Sequence, residues 1–199
     1  MNTSGILLLN QEGKLRWNDI FIANNEALHI YDCLQRQLAW QEETIFVYGR
    51  LVKVPRLVCW YGDTAAEYTY SGVNHQPHPW TVLLKELKEK IEGVTGETFN
   101  SVLGNLYRDG HDSMGWHADK EKELGPEPFI ASLSFGDSRY FILRHTKTKE
   151  TIKLELTNGS LLLMSGELQK VWRHCVPKTK QVKTPRINLT FRRILSKAG

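Results

Sequence analysis

The 199-residue chain has little of what marks a membrane, secreted or disordered protein. No run of eighteen apolar residues occurs, so no transmembrane helix is available. The opening stretch has no basic region and only four consecutive apolar residues, Ile6 to Leu9, so a secretory signal is not expected. Cysteine is scarce: Cys33, Cys59 and Cys175 are odd in number, widely spaced and without a CxxC pair. That argues against a disulfide framework and a cysteine zinc site, and fits a reducing, intracellular, cytoplasmic setting (nuclear in a eukaryote). No internal repeat, low-complexity tract or Ser/Gly-rich linker interrupts the chain, so a single domain over residues 1–199 is expected. With 41% hydrophobic and 24% charged residues it has the composition of a folded globule. One-sided charge is also lacking: a net charge of +4 permits a polyanionic partner and does not require one.

What is present begins with two amphipathic segments. Asn24 or Asn25 would cap a helix whose apolar positions are Ala27, Leu28, Tyr31, Leu34 and Leu38. A second helix is expected from Pro79 to Ile91, with Pro79 in its first turn, Leu83, Leu84, Leu87 and Ile91 on its apolar face and Gly93 as its stop. Thr44 to Val52 is β-branched and aromatic, as hairpin strands are. After Phe99 the pattern changes to short strands: Ser101–Tyr107, Phe129–Phe135, Arg139–His145, Thr151–Leu156, Ser160–Met164, Val171–His174 and Arg186–Leu195. Asn158-Gly159 reads as a hairpin turn after the alternating Ile152, Leu154 and Leu156. Seven strands at this spacing suggest a sandwich or jelly roll with the helices covering one face.

Chemistry is concentrated in a few places. In Gly115-Trp116-His117-Ala118-Asp119 the histidine and the carboxylate stand at i and i+2, so on an extended segment both point to one side and can grip one ion. A second histidine would complete the two-histidine, one-carboxylate face of a non-heme iron site, which leaves metal positions open. Taken alone, the pair reads as well as a polar surface turn. His174, at the end of a strand, is the distal candidate. Further on, Arg186, Asn188, Thr190 and Arg192 alternate with Ile187, Leu189 and Phe191. The polar row is either the solvent face of an edge strand or a pocket for a dicarboxylate, which arginine binds through two N–H bonds.

The ordered set Asn105-Leu106-Tyr107, His117-x-Asp119, His174 and Arg186-x-Asn188-x-Thr190-x-Arg192 resembles the AlkB family of Fe(II)- and 2-oxoglutarate-dependent dioxygenases. The likeness runs from about Val47 to Arg192. It is strongest toward the nucleic-acid repair branch, in Asn100 to Arg108, Pro128 to Gly136 and Pro185 to Arg192. It implies a mainly β fold with flanking helices. A double-stranded β-helix (jelly roll) would occupy about residues 99–195, and N-terminal helices with a nucleotide-recognition lid about residues 1–98. It implies Fe(II) held by His117, Asp119 and His174, with 2-oxoglutarate and O2 as co-substrates. Arg186 would clamp the distal carboxylate and Arg192 would lie near the C1 carboxylate. Asn105, Tyr107 and Thr190 would make the remaining contacts. The implied reaction is oxidative demethylation of N-alkylated bases such as 1-methyladenine and 3-methylcytosine in DNA, with RNA open, releasing formaldehyde, succinate and CO2.

A base inside a duplex cannot reach such a site and must be flipped out and stacked. By resemblance Tyr70, in Tyr68-Thr69-Tyr70, would sandwich the base against His117; it also reads as an ordinary strand aromatic. Tyr48, in Tyr48-Gly49-Arg50, would be a finger filling the gap left by the base, or would pack on the core. Arg56 would contact DNA, or be a solvated arginine. Glu121 would be the acid facing the amino group of a cationic base. The family's alternative acid position holds Lys120, and its basic run after the second histidine is broken here as Lys178-Thr179-Lys180-Gln181-Val182-Lys183. Arg50, Lys53, Arg56, Lys178, Lys180 and Lys183 are the cations left for phosphate. The expected partner is DNA or RNA carrying alkylated bases, with no membrane and the chain a monomer. The competing readings are an oxygenase of the same chemistry on a different substrate, and a catalytically silent nucleic-acid-binding domain.

Overall fold

A computed structural model describes residues 6–9, 12–47, 49–64, 66, 68–70, 73–181 and 183–195; for 47, 68–70 and 73–75 it describes the backbone only. Its strands are β1 (Ile6–Leu9), β2 (Lys14–Asn18), β3 (Gln41–Val47), β4 (Arg50–Gly62), β5 (Tyr68–Tyr70), β6 (Val73–His75), β7 (Ser101–Tyr107), β8 (Met114–His117), β9 (Ile130–Gly136), β10 (Arg139–His145), β11 (Thr151–Leu156), β12 (Leu161–Ser165), β13 (Trp172–Val176) and β14 (Arg186–Arg192). The helices are α1 (Asn24–Gln37), α2 (Val82–Thr95) and the one-turn α3 (Leu168–Val171). An eight-stranded sheet in the order β1-β2-β12-β9-β14-β7-β4-β3 faces a four-stranded sheet in the order β11-β10-β13-β8, and β5 pairs with β6 apart from both. The named strands pair antiparallel throughout, and one isolated bridge, Tyr61 with His78, is parallel. This is the expected jelly roll, extended on both edges by strands from the N-terminal half.

The pleat separates two cores. On the outer face of the large sheet, Leu133, Phe135, Ile187, Leu189 and Phe191 are fully buried under Ala27, Ile30 and Leu34 of α1 and Leu84, Leu87 and Ile91 of α2. Each such aliphatic or aromatic side chain contributes about 1.5–3 kcal/mol on burial. Between the sheets, Leu15, Ile130, Leu162 and Met164 meet Phe141, Leu143, Leu154, Leu156 and Trp172. That core fills one end of the sandwich, and the polar residues of β14 line the other.

Several local expectations are corrected. Asn24 does not cap α1: its Oδ1 accepts from Asn158 Nδ2 at 2.8 Å, and the residue before the helix is Ala23. Ile30 takes the buried place expected for Leu28, which is 50% exposed. The second helix starts later, where Thr81 Oγ1 accepts from Leu84 N, and it runs through Gly93 to Gly96 in the left-handed region (φ 74°). A glycine mid-helix costs about 1 kcal/mol, which packing of Leu87 and Ile91 outweighs. Asn158-Gly159 does turn the chain, with Gly159 at φ 79°. It joins no hairpin, however: β11 pairs with β10 in one sheet, and β12 with β2 and β9 in the other. Strands β1, β2 and β8 were not expected at all.

Candidate metal and co-substrate site

Strand β8 forms the edge of the small sheet, and β13 lies beside it. Their register sets His174 directly opposite His117, so both rings stand on the inner face, 4.2 Å apart between centroids and nearly edge to face. Asp119 follows β8 by two residues and turns under them, its Oδ2 3.7 Å from His174 Nε2. One nitrogen from each histidine and a carboxylate oxygen of Asp119 all lie within 4.8 Å of one another. His117 Nδ1 is 2.9 Å from the Gly115 carbonyl oxygen. A carbonyl only accepts, so Nδ1 carries the proton and the Nε2 lone pair is left for the site. Phe141 stacks on His174 at 5.0 Å and excludes water from one side.

Charge at this point is arranged by neighbours. Burial alone would push the Asp119 carboxyl up, but Arg192, His174 and His117 outweigh it and hold the group at about 2. Burial pushes His174 down to about 3, and the nearby His117 and Arg192 act in the same direction against Asp119. Near neutral pH the triad therefore offers a carboxylate and an uncharged His174 ring, the protonation states that ligate a divalent metal. His174 Nδ1 is buried with no hydrogen-bond partner. The donor chemistry and the spacing both fit an iron ion.

The polar row of β14 is not a solvent face. β14 lies between β9 and β7 in the middle of the large sheet, and its inner side chains form a ladder. Arg186 Nη2 donates to Ser134 Oγ (2.9 Å), Asn188 Nδ2 to Ser132 Oγ (2.8 Å) and Thr190 Oγ1 to Asn188 Oδ1 (3.0 Å). Arg192 Nη2 closes the row by donating to Asp119 Oδ1 (2.8 Å). Arg192 thus braces the metal-facing carboxylate and leaves Oδ2 for the ion, a contact not anticipated from sequence. Arg186 is 1% exposed, with its guanidinium 5.2 Å from the centre of the Tyr107 ring. Its Nε and Nη1 are buried without a hydrogen-bond partner. Burying such a group is costly unless an anion completes it. An inner cavity is lined by Asn105, Tyr107, Arg186, Thr190 and Arg192 together with the three candidate ligands, so every residue expected at the co-substrate meets there.

An outer cavity adjoins it, sharing His117, Asp119 and Arg192 and adding Gln41, Glu43, Arg56 and Glu121. Glu121 Oε2 is buried there with no partner, as a carboxylate awaiting a donor would be. Lys120 points elsewhere, to the Lys170 carbonyl. Arg56 departs from expectation: it is 4% exposed and held inside the wall by Asn105, not laid on the surface. Two other cations are engaged, Lys53 with Glu42 at 2.7 Å and Lys183, largely covered, with Asp137 at 3.2 Å. Arg50 and Lys180 are exposed. Tyr48 lies outside the described residues. Gly49 turns the β3–β4 hairpin at φ 77°, and Tyr68, Thr69 and Tyr70 form β5 opposite Val73 to His75, with their side chains outside the description. Ser132, Ser134, Gln41 and Glu43 were missed. The two serines alternate with Leu133 and Phe135 and were legible as an inner polar face; nothing local marked Gln41 or Glu43.

The sequence profile of the 2OG-Fe(II) oxygenase superfamily matches residues 14–192. The chain is 45% identical over 157 residues to mouse "DNA oxidative demethylase ALKBH2", covering 75% of this chain and 66% of that protein. It is 38% identical over 187 residues to the human protein of the same name, covering 88% and 72%. With human "Alpha-ketoglutarate-dependent dioxygenase alkB homolog 3" it shares 41% identity over 184 residues, covering 87% and 64%. The chain thus spans about two thirds of the length of these relatives. A solved structure described as "The structure of OsALKBH1" superposes with a TM-score of 0.69 at 16% identity, covering 94% of this chain and all of that one, and shows a shared fold.

Proposed function

Because the chain belongs to the 2OG-Fe(II) oxygenase superfamily and to the AlkB family within it, we propose that it is an oxidative demethylase of N-alkylated bases such as 1-methyladenine and 3-methylcytosine in DNA, with RNA left open as a second substrate. The observation that carries this reading is the juxtaposition of two incomplete sites. Three metal-ligating atoms lie within 4.8 Å, and a fully buried arginine with two unpartnered donors stands at the far end of the same polar ladder. The chemistry of the bound iron is to activate O2 with 2-oxoglutarate for oxidation of an N-methyl group.

The chain's own part is orientation. His117, Asp119 and His174 would hold the ion, with Arg192 fixing the Asp119 carboxylate. Arg186, Asn105, Tyr107 and Thr190 would hold the dicarboxylate. The outer cavity would take the flipped base, Tyr70 stacking it against His117. The unpartnered Glu121 oxygen would accept from its amino group and favour a cationic lesion. The β3–β4 and β5–β6 hairpins would form the lid, with Tyr48 as finger and Arg50 on phosphate. Phe46 (63% exposed) and Leu51 (73%) stand opposite each other near the first hairpin's tip, an apolar pair suited to base faces. The chain would act as a monomer inside the cell, in the cytoplasm or the nucleus; no helix among the described residues is long and apolar enough to cross a membrane.

The test is to incubate anaerobically prepared protein with Fe(II), 2-oxoglutarate, O2 and oligonucleotides bearing 1-methyladenine or 3-methylcytosine, and follow base mass and formaldehyde. Loss of 14 Da is expected. Succinate formation with no change in any base would move the assignment to another substrate, and no turnover of either kind would favour the silent binding domain.

A further inference from the structure

Arg56 was expected on the surface against DNA, and the fold puts it elsewhere. In the β3–β4 hairpin, Glu42 pairs with Leu57 and Thr44 with Lys53. Glu43 therefore faces three residues of β4, Val54, Pro55 and Arg56. Pro55 has no N–H to give the ladder, and its carbonyl accepts from Ser113 N at 2.9 Å instead. Such a bulge re-aims side chains. Here it turns Arg56 to the inner face, where Val58 lies opposite Asn105. Arg56 Nε donates to Asn105 Oδ1 at 2.5 Å, and Nη1 reaches the Ser113 carbonyl at 3.5 Å. Arg56 lines the outer cavity and Asn105 the inner one, so this bond crosses the wall between them.

An arginine only donates. Whatever approaches Arg56 must present an acceptor, so the Asn105 side chain can satisfy it in one orientation only, with oxygen toward Arg56. The amide NH2 is then left to the inner cavity, whose polar lining includes Tyr107, Arg186, Asn188, Thr190 and Arg192 beside the three candidate metal ligands. A free asparagine would present its oxygen to that cavity as readily as its nitrogen. We propose that Arg56 is a positioning residue for the co-substrate: it fixes the Asn105 amide as a donor to a 2-oxo dicarboxylic acid, and it does not contact phosphate. This rests on the reading of the inner cavity as the 2-oxoglutarate site.

The test is calorimetric titration of 2-oxoglutarate into protein loaded with Zn(II), which is redox-inert, so that binding is read without turnover. Wild type should bind; absence of binding would overturn the co-substrate reading and this inference with it. If wild type binds, Arg56→Met should weaken the Kd by about 10- to 100-fold, the loss of one oriented hydrogen bond to a charged acceptor. Arg56→Lys, whose ammonium also only donates, should recover part of the loss. Arg56→Met placed on Asn105→Ala should add nothing further, since the two act as one unit. Equal affinity in wild type and Arg56→Met, or additive losses in the double variant, would overturn the inference alone. Oligonucleotide affinity against salt gives a separate reading: Arg56→Met should leave the slope of log Kd on log salt unchanged, and a fall of about one would put Arg56 on a phosphate. If Arg56→Met does not fold, the wild-type Asn105 side-chain amide ¹⁵N signals, identified by their loss in Asn105→Ala, should shift when 2-oxoglutarate is added. No shift would refute the orientation.

Discussion

Replacing Arg186 by methionine should stabilise the free protein while destroying co-substrate binding. Without a ligand the guanidinium is 1% exposed and keeps its bond to Ser134 Oγ, but Nε and Nη1 have no partner. Burial pushes its pKa down, and the charge of Arg139 adds to that against Tyr107. Replacing an unpaired buried charge by an apolar chain of similar length is worth about 1–4 kcal/mol. Leaving Ser134 Oγ without its donor costs about 1 kcal/mol. The net change should lie between about zero and 3 kcal/mol in favour of the variant, and in a chain of this size each kcal/mol moves Tm by about 2–4 °C. Binding goes the other way. Removing one partner of a desolvated charge pair costs about 2–5 kcal/mol, or about 30- to 5,000-fold in Kd. Thermal melts with and without Zn(II) and 2-oxoglutarate read both effects. Wild type at 100 Kd should gain about 2.7 kcal/mol from the ligand, and the variant almost none at the same concentration. A variant that melts more than about 4 °C below wild type yet keeps the full ligand shift would refute the reasoning.

His117→Ala and Asp119→Ala should abolish demethylation while the circular dichroism spectrum and cooperative melt survive; retained turnover in both would remove the triad from the reaction. Gly104→Ala should cost about 1–3 kcal/mol in chemical denaturation, because a Cβ there would stand 2.5 Å from Cys59 Sγ and 3.0 Å from Trp40. Cys59→Ala in the same chain should recover part of the loss. Asp112 is buried, which raises its pKa, but the Arg108 side chain and backbone N–H outweigh this and hold it below the ordinary 3.8. A depressed carboxyl stabilises the fold fully above that ordinary value, and the contribution fades as pH falls through the lower value in the folded chain. Asp112→Asn should therefore flatten the fall in Tm between about pH 5 and pH 2, and an unchanged slope would show the pair to be immaterial.

Three strands were legible residue for residue: β7, β10 and β11 occupy the expected positions. In β10 and β11 burial alternates along the strand, and that period-two pattern leaves a single register open. Strand β8 escaped notice because Met114-Gly115-Trp116-His117 holds a glycine and has no alternation, and it is a strand only because β13 offers it an edge. The end of α2 was misplaced because Gly93 is a stop signal by propensity alone, and the packing of Ile91 overrode it. Asn158-Gly159 carried correct turn chemistry and the wrong pairing, because a two-residue turn dictates a local reversal but not which sheet the next strand joins.

The site divides along the same line. Which residues form the candidate site was legible through the resemblance that His117-x-Asp119, His174 and the alternating Arg186 to Arg192 row carry as an ordered set; residue type and spacing alone left a surface turn and a solvent-facing strand open. What those residues do to one another was decided only by the tertiary structure. Arg192 bracing Asp119, Ser132 and Ser134 seating the β14 ladder, and Arg56 turning Asn105 are contacts between segments far apart in the chain. They depend on strand register across a closed sandwich and on a bulge at Pro55, which no local pattern encodes. The same burial that brings these groups together removes water as their alternative partner, so each donor must find one specific acceptor.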